Sequence, residues 1–180
     1  MSTTQQQGNY AFIDGINLHL TYEYLDWKID YRKLLIYLRG RHNVTTAYYF
    51  IGFVEQNNNI YKDLEACGYT LKFRDVSEFT TDPVICPNCQ GVVEPAQIKT
   101  KCDCDADLVL QAMDDASSYD KAILISSDGD FDNLVRKLLH TGKMKLILAP
   151  CKEGCSKLLK RASLGRIDFL DNHRDKLEKI

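Results

Sequence analysis

The sequence predicts an α/β fold: a central, mainly parallel sheet flanked by helices on both faces. Three observations carry that expectation. Short apolar runs bounded by turn residues alternate with helical patterns along most of the chain. Two of those runs stop at aspartates, and open parallel sheets place their sites just beyond the carboxyl ends of their strands. Finally, 180 residues at 44% hydrophobic and 27% charged describe one ordinary globular core.

The first strand candidate is "YAFI", immediately before Asp14. A helical segment follows from about Asn17 to Leu25, and a second, "DYRKLLIYLRG", turns Leu34, Leu35 and Leu38 to one side and closes at Gly40. "VTTAYYFIGF" is β-branched and aromatic and forms the next strand, "NNNIYKDLEACG" a helix closed by Gly68, and "YTLKFRDV" a third strand. After an irregular stretch come a helix from about Asp105 to Ala116, the strand "KAILIS", the helix "DNLVRKLLHTG", the strand "KLILAP", a helix around "CSKLLKRA" and a short strand "IDFL". Residues 1–9 and 173–180 read as a polar and a charged tail that fray, leaving 10–172 as the domain.

No run approaches the ~18 to 20 apolar residues of a membrane span, and "MSTTQQQGN" lacks the regions of a signal peptide. A cytoplasmic protein with no membrane partner is expected, so its seven cysteines should stay reduced. The net charge of −2 conceals an asymmetry. Nine aspartates lie between Asp103 and Asp132 beside a single Lys121, whereas nine Lys or Arg lie between Asn133 and Arg166 beside a single Glu153. Such blocks fit a cation site next to an anion-binding surface, or two solvated faces that balance each other.

Asp14 follows "AFI" and Asp128 follows "ILISS", so both carboxylates fall on one sheet edge. Asp105, opening its helix there, would complete a cluster that repels itself unless a cation neutralises it. A donor set of carboxylates suits Mg²⁺ or Mn²⁺ rather than zinc. Asp132 reads as a helix cap outside the site. Asp130 either joins the cluster or shapes its Gly-containing turn, and Asn17 caps a helix, orients a carboxylate or contacts phosphate.

"FIDGINL" (12–18), "KCDCDADLVLQAM" (101–113) and "ILISSDGDFDNLV" (123–135) resemble the three signature blocks of NYN domains, relatives of the PIN nucleases, in order and spacing. "LDWKIDYRKLLIYLR", "AYYFIGF" and the closing segment resemble a bacterial branch of single-domain NYN proteins. The resemblance implies a PIN-like three-layer α/β sandwich and metal-dependent hydrolysis of RNA phosphodiester bonds, with an endoribonuclease the expected form. Carried over by position, Asp14, Asp105, Asp128 and Asp130 are catalytic, and Asp14, Asp105 and Asp128 hold the Mg²⁺ or Mn²⁺. Asn17, Ser126, Ser127 and Lys101 are expected to contact substrate. Where the third block usually reads Ser-Gly-Asp this chain has Ser126, Ser127 and Asp128, which costs a loop glycine and leaves every acidic position filled. The basic segment would hold the strand, with exposed tyrosines or Trp27 stacking bases.

An insertion at about 80–104, "CPNCQGVVEPAQIKTKCDC", carries Cys86 and Cys89 as C-x2-C and Cys102 and Cys104 as C-x-C. Two close pairs match a small structural Zn²⁺ ribbon, against a reduced hairpin with incidental thiols. The matching NYN blocks ordinarily have Gly and Val-like residues at 102 and 104 and lack the knuckle, so the insertion and those cysteines go together. Three functions stay open: a metal-dependent ribonuclease, an RNA-binding module with little turnover, and a Mg²⁺-dependent phosphatase. Phosphatases of the haloacid type want a D-x-D pair after the first strand, and "DGIN" supplies one aspartate. Whether the chain pairs with itself as a homodimer is left open by the sequence.

Overall fold

The computed structural model describes residues 8–20 and 25–180, apart from the side chains of 99–101. Ten strands and seven helices follow in chain order among these residues. They are β1 (Asn9–Asp14), α1 (Gly15–Leu20), α2 (Tyr31–His42), β2 (Val44–Phe53), α3 (Asn58–Cys67), β3 (Thr70–Asp75), β4 (Ser77–Thr80), β5 (Val84–Ile85), β6 (Val92–Glu94) and β7 (Ile98–Lys101). Then come α4 (Asp105–Asp114), β8 (Ala122–Ile125), α5 (Asp132–His140), β9 (Met144–Ala149), α6 (Lys157–Ala162), β10 (Ile167–Phe169) and α7 (Arg174–Leu177).

Six strands form one parallel sheet in the order β10-β9-β8-β1-β2-β3. The α/β class with a helix-flanked parallel sheet is thus the observed one. Period-2 alternation in β1 sorts its side chains between two cores. Ala11 and Ile13 pack with Leu34, Leu35 and Leu38 of α2 and Leu64 of α3. Phe12 packs on the other face with Leu108 of α4, Leu134 and Val135 of α5 and Leu159 of α6. The same alternation puts Asp14, the next residue of Phe12's parity, on the α4/α5 face, beyond the apolar run.

Several elements end differently from the sequence expectation. Gly40 does not close α2, which runs on to His42; Asn43 closes it instead in the left-handed region at φ 54°, its N–H reaching Arg39 O and Leu38 O. Asparagine tolerates that conformation because its short polar side chain costs little there. The start of α2 is capped by Asp30, whose carboxylate accepts from Lys33 N–H at 3.0 Å. The first helix is α1, ending at Leu20; the rest of the expected 17–25 helix includes residues outside the description. Trp27 does not offer a stacking surface. It is buried, donates from Nε1 to Asp171 Oδ1 at 2.8 Å and lies beneath Arg174.

The chain's last residues are tied down rather than frayed. Leu177 is fully buried, Asp30 N–H donates to its carbonyl at 2.8 Å, and Arg174 pairs with Asp26 and Glu178. Between β3 and α4 the insertion forms an arm of two antiparallel ladders, β4 with β7 and β5 with β6. Its apolar side chains Phe79, Val84, Ile85, Val92, Val93 and Ile98 are all exposed.

Candidate metal centre

Sheet register assembles the site. Ile13 of β1 stands opposite Ile125 of β8, so the next residues, Asp14 and Ser126, meet at the carboxyl edge. Ser126 Oγ donates to Asp14 Oδ2 at 3.0 Å and is itself the acceptor of Asp128 N–H at 3.1 Å. The other Asp14 oxygen accepts from Asn17 N–H at 3.0 Å, so Asp14 caps the first turn of α1. Gly15 is required between them, because a Cβ there would stand 2.6 Å from the Phe50 carbonyl oxygen as well as entering the Tyr49 ring.

Asn17 does not cap its own helix. Its Oδ1 accepts from both the N–H and the Oγ–H of Ser127 at 2.9 Å, tying the start of α1 to the loop after β8. The second of these bonds needs the hydroxyl that a glycine at 127 would lack. Loss of that tie in Asn17→Ala leaves the Ser127 donors unpaired and is expected to weaken Mn²⁺ binding at the carboxylates by about 10- to 100-fold with the fold intact. A Mn²⁺ titration beside a thermal melt checks this; unchanged affinity would exclude a positioning role.

After Asp128 a single helical turn, Gly129–Phe131, leads into α5. Asp128 Oδ1 accepts from Asp130 N–H at 3.1 Å, which fixes the turn, and Phe131 is driven into the core. Oxygens of Asp105, Asp128 and Asp130 all lie within 4.8 Å of one another, a group able to hold a metal ion. Asp14 lies outside that triplet and is buried, and its charge raises the carboxyl of Asp105. Asp132 is not the cap expected of it. It is the first residue of α5, pairs with Arg136 at 3.3 Å and is not a member of the triplet. The side chain of Lys101 lies outside the described residues.

Electrostatics favour a cation here. Burial, followed by the charges of Asp14, Asp103, Asp128 and Asp130, pushes the Asp105 carboxyl up to about 6 from an ordinary 3.8. Burial also raises Asp14, opposed by its bonds from Asn17 and Ser126 and reinforced by Asp128. Because folded Asp105 holds its proton more tightly than the unfolded chain does, metal-free stability falls as pH rises from 3.8 through about 6. For a group this exposed the effect is screened to the order of 1 kcal/mol. Urea unfolding at pH 5 and pH 7 should therefore show a drop in chelator that Mg²⁺ or Mn²⁺ removes. An equal drop with and without metal would contradict it.

The expected basic surface is only partly available. Lys143, Lys145 and Arg166 donate to the carbonyls of Tyr119, His42 and Met144. Cations that sequence reasoning passed over lie on the other side of α4. A groove of about 710 Å³ is lined by Phe73, Arg74, Asp75, Ser77, Asp103 and Asp107, and a neighbour of about 300 Å³ adds Lys72. Neither includes a member of the triplet. Arg74 pairs with Asp107 at 2.8 Å, so this cation is already partly neutralised. In sequence these cations sit in the strand "YTLKFRDV", with nothing to separate them from ordinary strand polarity.

The cysteines stand as two separate pairs. Cys86 and Cys89 share the turn at the arm's tip, and Cys102 and Cys104 lie at its foot with sulfurs 3.3 Å apart. Among the described residues, the carboxylate triplet is the cluster that brings three or more such ligands together, so the four thiols do not share one sphere.

A parallel sheet carrying an all-oxygen cluster at its carboxyl edge defines an α/β domain with a candidate divalent-metal centre. The NYN domain model matches residues 10–168, and the chain belongs to the NYN domain family. It is 26% identical over 164 residues to the Low amplitude and bright protein LabA of Synechococcus elongatus, spanning 89% of this chain and 82% of that protein. Its fold is similar to the crystal structure of VPA0982, a protein of unknown function from Vibrio parahaemolyticus. The TM-score is 0.70 at 18% identity, over 98% of this chain and 99% of that one. Among the described residues no helix is long and apolar enough to cross a membrane.

Proposed function

We propose that this protein is a metal-dependent endoribonuclease of the cytoplasm, cutting RNA at the Asp105–Asp128–Asp130 cluster with Mg²⁺ or Mn²⁺. The observation that carries the reading is the convergence of those three carboxylates within 4.8 Å on a NYN domain, with Asp14 buried outside the triplet. The donor set is all oxygen, which fits a hard divalent ion and not zinc. When bound, the ion supplies a water of lowered pKa and neutralises charge developing on the phosphate.

The chain's own residues position that chemistry. Asp105 comes from the first turn of α4, while Asp128 and Asp130 come from the turn after β8, so two separate elements supply the cluster. Ser126 and Asn17 hold Asp14 and Ser127 in place through the hydrogen bonds described above. Lys72 and Arg74, in the grooves along α4, are candidates to receive the RNA backbone as it leaves the cluster. No side-chain nucleophile is needed.

Incubating labelled single-stranded RNA with the protein in Mn²⁺, Mg²⁺ or chelator tests the proposal. Internal cuts in either metal and none in chelator are expected. RNA retained in a gel-shift assay but uncut in both metals would replace the nuclease with an RNA-binding module.

A further inference from the structure

Four cysteines lie outside the carboxylate triplet and stand as two close pairs, one at each end of the arm. At the arm's tip Cys86 N–H donates to Gly91 O at 2.8 Å, and Gln90 N–H donates to Cys86 O at 3.0 Å with Gln90 in the left-handed region at φ 54°. This closes a tight turn in which the amides of Asn88 and Cys89 aim at the Cys86 sulfur. Backbone N–H groups directed at the first sulfur of C-x2-C are the outer contacts that orient and stabilise a metal-bound thiolate.

At the foot, Cys102 and Cys104 present a second pair of sulfurs 3.3 Å apart. Gly52 of β2 makes room for it: a Cβ there would stand 2.9 Å from Cys102 Cβ and 2.7 Å from Val76 Cγ2. Between tip and foot, Thr81 N–H donates to Gln97 O at 2.8 Å and Gln97 N–H to Thr81 Oγ1 at 3.0 Å, extending the lower ladder by one pair. Beyond it, 82–83 and 95–96 belong to neither ladder, and a bend of the tip would be taken up there.

We propose that Cys86, Cys89, Cys102 and Cys104 form a four-thiolate zinc site that closes by folding the arm's tip onto its foot. Each ligating thiol gives its proton to solvent, so closure releases protons and oxidises nothing. Two pairs of soft thiolates complete the tetrahedron zinc prefers and exclude the hard ions suited to the carboxylates. Cys104 is followed directly by Asp105, so the ion also anchors the first turn of α4. The inference does not depend on the ribonuclease reading, since zinc binding requires no turnover.

The test is titration of the reduced, metal-free full chain with Zn²⁺ and with Co²⁺ as spectroscopic probe. One metal per chain is expected, with thiolate-to-cobalt charge-transfer absorption and tetrahedral visible bands. Both should be lost in Cys86→Ser/Cys89→Ser, whose positions lie outside the core, and in Cys102→Ser, with a thermal melt to verify folding. Absence of tight binding, or an unchanged cobalt spectrum in the tip variant, would overturn the proposal. So would half a metal per chain with dimerisation, which would mean an ion bridging two copies.

Discussion

Asp105→Asn is expected to lower RNA cleavage by a factor of about 10³ or more, equivalent to about 4 kcal/mol at 1.36 kcal/mol per tenfold. The same substitution should make the metal-free protein more stable at pH 7. Asp105 is held near a carboxyl pKa of about 6 by burial and by the charges of Asp14, Asp103, Asp128 and Asp130, and asparagine removes one of these mutually repelling groups. The stabilisation is of order 1 kcal/mol, discounted for the solvent that reaches the side chain. Paired assays decide the matter: cleavage in Mn²⁺ and urea unfolding in chelator. A variant that loses both activity and stability would show that Asp105 supports the fold rather than the metal. One that keeps its activity would remove it from the site.

Phe131→Ala has the largest expected effect on stability. Phe131 is fully buried against the α4/α5/α6 core, and a buried phenylalanine truncated to alanine costs about 3–5 kcal/mol. That is a large part of the ~5–15 kcal/mol that holds a domain folded. Because Phe131 ends the turn that begins with Asp128 and Asp130, its loss should weaken Mn²⁺ binding as well. Urea denaturation with an unchanged m-value, combined with a metal titration, measures both. A loss below about 1 kcal/mol would mean that the turn is fixed by its hydrogen bonds alone.

The strands and the core faces were legible in the sequence because they rest on local pattern. β2 spans the whole of "VTTAYYFIGF", and the alternation of β1 assigns Ala11, Phe12 and Ile13 to their layers. The sheet edge bearing Asp14 and Asp128 followed from the same pattern together with the rule for parallel sheets. Sequence could not show that Asp130 joins Asp105 and Asp128 in the tight triplet while Asp14 stays outside it, since that depends on a one-turn helix set by tertiary packing. Asn43 rather than Gly40 ends α2, since an isolated glycine inside a helical pattern is tolerated at some cost and need not end it. Trp27 and the C-terminal turn were misplaced for a related reason: their partners, Asp171 and Asp30, are far away in the chain. Much of the basic block caps carbonyls, a use of lysine and arginine that composition does not reveal.

The central claim is that the carboxylate cluster cuts RNA, and comparison of wild-type protein with Asp128→Asn tests it most directly. Labelled single-stranded RNA is incubated with each at matched purity in Mn²⁺ and Mg²⁺. Metal-dependent cleavage by the wild type that disappears in the variant, with the fold retained, is the predicted result. Equal cleavage by both proteins would contradict the claim and place the activity elsewhere.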